Sequence, residues 1–97
     1  MIVWTEEAAA ELARMLEFLA DQNPALAKKL VARVLQTVRT IAMFPEAATR
    51  DAETGTFDRY VPKTRIVLTY ATRGDDDVIV TAWHTSRDPE TKPKRKA

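Results

Sequence analysis

The stretch Asp21-Gln22-Asn23-Pro24-Ala25-Leu26-Ala27 decides the fold. A residue that precedes proline resists the α conformation, so a helix arriving from the N-terminal side must stop at Asn23. Asparagine is also a good N-cap, and proline suits a first helical turn, where its missing N–H is not needed. The dipeptide therefore ends one helix and begins another with no loop between them. Two helices joined so tightly lie antiparallel as neighbours.

The flanking sequence supports both helices. Upstream, Thr5 is a natural N-cap followed by Glu6 and Glu7, whose negative charge suits a first turn. Ala8, Leu12, Met15, Leu16 and Leu19 recur at helical spacing and predict one buried stripe, while Glu11, Arg14, Glu17 and Asp21 fall off it. Downstream, Ala27, Leu30, Val31, Val34, Val38 and Ile41 predict a second stripe, in a helix that runs to Phe44 and is stopped by Pro45. At ~1.5 Å per residue it spans about 30 Å.

Strands are expected on both sides of this hairpin. Ile2-Val3-Trp4 is β-branched and aromatic but too short to stand alone. Residues 45–56 show no periodicity and predict a loop. Phe57–Val61, Arg65–Thr72 and Val78–His84 predict three strands, the last two joined by a turn at Gly74-Asp75-Asp76-Asp77. In the second of them Ile66, Leu68 and Tyr70 share one face, and Arg65, Val67 and Thr69 the other. The expected fold class is α+β: an N-terminal strand and a two-helix antiparallel hairpin packed on one face of a small antiparallel sheet, in the order β-α-α-β-β-β. The second sheet face, carrying some of the arginines, is expected to be open and to offer a binding surface.

Composition sets further bounds. A chain of 97 residues makes one domain, and 45% hydrophobic with 30% charged residues is an ordinary globular balance. Without cysteine there is neither a disulfide frame nor a thiolate metal site. One histidine argues against a catalytic zinc site, and two glycines are too few for a dinucleotide or phosphate loop. No cofactor and no metal is expected; the run Asp75-Asp76-Asp77 lacks the later ligands of a metal loop and reads as a turn. No apolar run approaches the ~18 residues of a membrane span, and no secretory leader is evident, so the expected location is the cytoplasm, away from membranes. The net charge is +1, but residues 1–55 hold six basic against eight acidic residues, and residues 56–97 hold nine against six. The domain is expected to cover residues 1–91, with 92–97 (Lys92-Pro93-Lys94-Arg95-Lys96-Ala97) a basic, disordered, solvated tail.

Several motifs in this order resemble the RelE/ParE superfamily of type II toxins. They are Val3-Trp4-Thr5 before a Glu-rich helix, Asp21-Gln22-Asn23-Pro24 with Ala27 and Leu30, and Ile41-Ala42-Met43-Phe44-Pro45. Gly55 with Arg59 and Tyr60, Arg65-Ile66-Val67-Leu68-Thr69-Tyr70, and Ala82-Trp83-His84 complete the set, which spans nearly the whole chain. Each motif is weak alone; their order and spacing carry the resemblance. It implies a toxin held in a heteromeric complex by an antitoxin. ParE-like members poison DNA gyrase and pair with ParD-like, ribbon-helix-helix antitoxins. RelE-like members are ribosome-dependent mRNA endonucleases.

The two activities ask for different residues. RNA cleavage needs a base, cationic clamps and an acid. The resemblance offers Arg65, His84 and Arg87 for such catalytic roles, and Arg59, Lys63, Arg65 and Arg87 as target-binding cations. The loop before Arg65 has only one lysine, Lys63, no tyrosine follows Trp83, and the net charge is low for a protein that docks on RNA. The ParE-like reading is therefore preferred and the endonuclease is the alternative. His84 reads more readily as a hydrogen-bonded structural residue, Arg59 and Arg65 also as partners of Asp58 or Glu53, and Trp4 and Trp83 as core rather than base-stacking residues. Leu26 and Leu35 fit neither helical stripe, and are expected to stay exposed and bind antitoxin in a groove between hairpin and sheet.

Overall fold

A computed structural model describes residues 1–97. The chain runs β1 (Ile2–Trp4), α1 (Glu6–Gln22), α2 (Pro24–Met43), β2 (Thr49–Arg50), β3 (Phe57–Tyr60), β4 (Ile66–Arg73) and β5 (Asp76–His84), then a 3₁₀ turn at Pro89–Thr91. Thr5 Oγ1 accepts the Ala8 N–H at 3.1 Å and caps α1. Asn23 serves both helices. Its N–H donates to Leu19 O at 2.7 Å, closing α1, and its Oδ1 accepts the Leu26 N–H at 3.1 Å, opening α2.

The five strands form one sheet in the order β1-β5-β4-β3-β2. The α+β class stands, but the sheet is mixed: β1 pairs parallel to β5, with Val3 opposite Val78, and only the other pairings are antiparallel. The segment read as a loop contributes β2, a two-residue edge strand with both residues exposed, too short for periodicity to reveal. Gly74 (φ +60°) opens the two-residue turn between β4 and β5, where the left-handed conformation favours glycine.

The hairpin covers one sheet face. Ala8, Leu30, Val34 and Ile41 pack on Phe57, Ile66, Leu68, Tyr70, Ile79 and Ala82, with Trp4, Leu12, Met15, Leu16 and Leu19 around them. Tyr70 stacks on Phe57 at 5.4 Å between ring centroids and donates its hydroxyl to Pro45 O at 2.7 Å, tying the end of α2 to the sheet.

The second face is not open. Val67, Thr69, Ala71, Val78, Thr81 and Trp83 are all buried there, beneath the chain's own C-terminal segment. Arg87 stacks on Trp83 at 5.7 Å, and Lys92 Nζ lies 3.6 Å from Asp58 Oδ1. Residues 92–97, expected to float in solvent, are laid down by specific partners, Arg95 to Glu11 at 2.8 Å among them. Composition identifies the charges of such a tail but not the acids waiting for them elsewhere in the fold.

Burial pushes the Tyr70 phenol above its ordinary range, with Asp77 adding to the rise and neighbouring Arg59 opposing it. The unfolded chain then ionises first. The stability this group contributes is present below about pH 10 and lost as pH rises through the folded value. Tyr70→Phe should cost about 1–3 kcal/mol at neutral pH, because Pro45 O loses its donor. It should also flatten the alkaline fall in stability, both measurable by denaturant unfolding between pH 7 and 11.

Candidate functional site

Where α1 and α2 meet, the hairpin overhangs the start of β4 and the end of β5. A cleft of about 630 Å³ opens there. Its apolar wall comes from the helices and β4: Met15, Phe18, Leu19, Leu26, Leu30 and Ile66. Phe18 is 67% exposed and Leu26 42%, so the cleft presents apolar surface to solvent. Arg14 and Arg33 border the cleft from the helices, and Lys63, Arg65 and Arg87 from the strand ends. No carboxylate lines it. An apolar floor with an uncompensated cationic rim suits a partner that is amphipathic and acidic.

The loop before Arg65 is built tightly. Val61 N–H donates to Ile66 O at 2.9 Å, and the Thr64 hydroxyl donates to Val61 O at 2.7 Å while accepting Ile66 N–H at 3.1 Å. Closing the turn leaves Lys63 in the left-handed region at φ +60°, the one non-glycine residue there. The strain sits at the cleft, where stored strain is often tied to function.

His84 ends β5 beside Ile66, its opposite number on β4. The Ser86 N–H donates to His84 Nδ1 at 3.2 Å, and Ser86 Oγ lies 2.6 Å from the same nitrogen. A backbone N–H can only donate, so Nδ1 is an acceptor and the neutral ring carries its proton on Nε2. A ring held this way offers a donor outward, and its free lone pair is spent on Ser86. Such a donor can contact an anion.

The structure thus gathers Lys63, Arg65, His84, Arg87 and Leu26 at one cleft, together with three residues that sequence reasoning passed over, Arg14, Phe18 and Arg33. A signal for them existed: Arg14-Phe18 and Leu26-Leu30-Arg33 each repeat at three- or four-residue spacing on a helix face. Arg59 lies elsewhere. It is opposite Leu68, on the helix side, donating to Ala47 O at 3.0 Å with its Nε buried and unpaired. Neither Arg59 nor Arg65 takes Asp58 or Glu53 as an ion-pair partner. Leu35 is exposed, at 50%, on the side of α2 away from the cleft lining.

A two-helix hairpin on one face of a five-stranded mixed sheet, with a cationic cleft at the hairpin bend, is the architecture expected of the toxin class outlined above. Residues 2–89 match the family described as "ParE toxin of type II toxin-antitoxin system, parDE", and the chain belongs to that family. It is a ParE-type toxin, and an antitoxin is its partner. Among solved structures it is similar to one titled "Chromosomal ParDE TA system from P. aeruginosa", with a TM-score of 0.74, 19% identity, 86% of this chain covered and 92% of that one. No curated protein matches it in sequence. No helix is long and apolar enough to cross a membrane.

Replacing Lys63 by glycine relieves the left-handed strain, about 1–2 kcal/mol, and loosens the unfolded chain by about 0.4–1 kcal/mol in the opposite direction. Lys63→Gly should therefore leave stability unchanged or raise it slightly in chemical denaturation, whereas Lys63→Val should lower it.

Proposed function

We propose that this toxin acts on DNA gyrase and that a ParD-like, ribbon-helix-helix antitoxin neutralises it by laying an amphipathic helix in the cleft. The composition of the cleft carries this reading. Phe18, Leu26 and Leu30 are placed to receive apolar side chains at helical spacing. The five surrounding cations call for Asp or Glu on the flanks of the same segment. Lys63, Arg65 and Arg87, the rim cations on the sheet side, are then the target-binding set, and the antitoxin neutralises by occupying the surface the target needs. Arg59 takes no part, since its guanidinium is engaged with the 44–48 loop.

The family description supports the ParE assignment, and the engaged Nδ1 of His84 supports action by binding rather than by RNA cleavage. The endonuclease reading draws on one observation, the convergence of Arg65, His84 and Arg87 at the cleft. The two part cleanly in a pair of assays. The purified chain should inhibit gyrase supercoiling and trap cleaved DNA, and it should leave ribosome-bound message intact. Messages cut in an Arg65- and His84-dependent way, with supercoiling untouched, would reverse the assignment.

Arg14→Glu with Arg33→Glu should weaken antitoxin binding at least about tenfold, near 1.4 kcal/mol, and flatten its dependence on salt in calorimetric titration. Leu26→Asp should weaken it similarly, without the change in salt dependence.

A further inference from the structure

β5 has an edge that its neighbour does not cover. β1 pairs only with Asp77–Ile79, and Thr5 N–H donates to Ile79 O at 3.0 Å as the chain turns away into α1. Beyond that point β5 continues to His84 with no strand on that side. A β-bulge at Val80, where the pairing slips between Thr69 and Tyr70, adds to the irregularity.

Side chains satisfy this edge instead. Ala82 N–H donates to Glu11 Oε1 at 3.2 Å, and Val80 O accepts from the Arg95 guanidinium at 2.7 Å. The same Arg95 nitrogen lies 2.8 Å from Glu11 Oε1 and 3.3 Å from Thr81 Oγ1. Glu11 is only 9% exposed. Without Arg95 it would be a buried carboxylate with one N–H for company, which is strongly unfavourable. Arg95 is thus required by an acid 84 residues away.

The rest of the tail is fastened more lightly. Lys92 pairs with a half-exposed Asp58, Arg73 donates to Lys96 O at 3.3 Å, and Ala97 N–H donates to Thr54 O at 3.0 Å. Exposed pairs of this kind contribute little each. Lys94 and Lys96 point to solvent. One anchor therefore dominates.

We propose that residues 92–97 are a clasp, anchored by Arg95 on Glu11, that shuts the uncovered β5 edge against pairing with a second copy of this chain. Unpaired N–H and C=O groups along a strand edge are a template for another strand, and a part-buried charge pair laid across them removes it. The identical β5 edge of a second copy is the occupant, because a two-fold pairing of the edge on itself satisfies Val80 and Ala82 in both chains at once. The clasp also keeps the second sheet face covered, so the closed molecule presents its cleft side to partners.

The test is hydrogen exchange on the full chain, read at four amides. In Arg95→Ala the amides of Ala97 and Ala82 should exchange about tenfold faster or more, while those of Thr5 and Asp77, which report the β1–β5 pairing, keep their protection. Glu11→Gln keeps an oxygen for Ala82 but loses the charge, so it should free Ala97 and leave Ala82 protected. Lys94→Ala should change neither. Sedimentation at rising concentration should show Arg95→Ala forming dimers where the unaltered chain does not. Wild-type exchange at Ala97 and Ala82 in folded Arg95→Ala overturns the clasp, as does wild-type exchange at Ala97 in Glu11→Gln. Identical sedimentation of Arg95→Ala and the unaltered chain overturns its role in guarding the edge.

Discussion

The pairing of the first strand with the last governs this molecule. β1 binds β5 in parallel, from Ile2 opposite Asp77 to Trp4 opposite Ile79. It can do so because the whole hairpin and the rest of the sheet lie between the two in sequence, long enough to make a parallel return. Three residues of pairing fix where α1 departs, and so which sheet face the hairpin covers. They also fix how much of β5 is left without a neighbour. The end of β5 that carries His84 consequently emerges at the hairpin bend, where the cleft forms. The uncovered stretch at Val80–Ala82 demands polar side chains, and Glu11 and Arg95 supply them.

Much of this was legible in the sequence because it is local. Asn23-Pro24 fixes the hairpin through the conformational preferences of two adjacent residues, and the apolar stripes follow from helical period, save that Val31 is exposed and Glu11, off the stripe, is buried. Ile66, Leu68 and Tyr70 face the helices as alternation required. The parallel pairing of β1, by contrast, leaves no trace in three residues that would read alike in either direction. β2 was missed for a similar reason, since two exposed residues have no period. The contacts of the tail are not legible in its own sequence, because its charges meet Glu11 and Asp58, whose proximity is a property of the fold.

The candidate site shows the same division. Lys63, Arg65, His84 and Arg87 lie at the ends of neighbouring strands, so that order along the chain is enough to bring them together. Arg59 differs from them by parity: it sits opposite Leu68 and so faces the helices, where the 44–48 loop closes over it. Arg14, Phe18 and Arg33 required knowing how the hairpin sits on the sheet. Helical spacing marks them as neighbours of one another but does not say what they overlook.

The net charge of +1 bears on function less than its arrangement does. Arg95 and Lys92 are matched by acids, Arg59 and Arg73 by carbonyl oxygens, and each is thereby committed to structure. Arg14, Arg33, Lys63, Arg65 and Arg87 surround one cleft with no acid among its lining residues. Field depends on local imbalance, screened over roughly 8–10 Å, and not on the sum over the chain. A nearly neutral protein can therefore hold a strongly cationic cleft, and low net charge does not by itself separate a gyrase-directed toxin from one that meets RNA. In the reading proposed above, His84 adds a hydrogen-bonding group to the same patch, its Nδ1 engaged by Ser86. Apolar surface and cations then meet at one cleft, and an acidic, amphipathic partner is complementary to both.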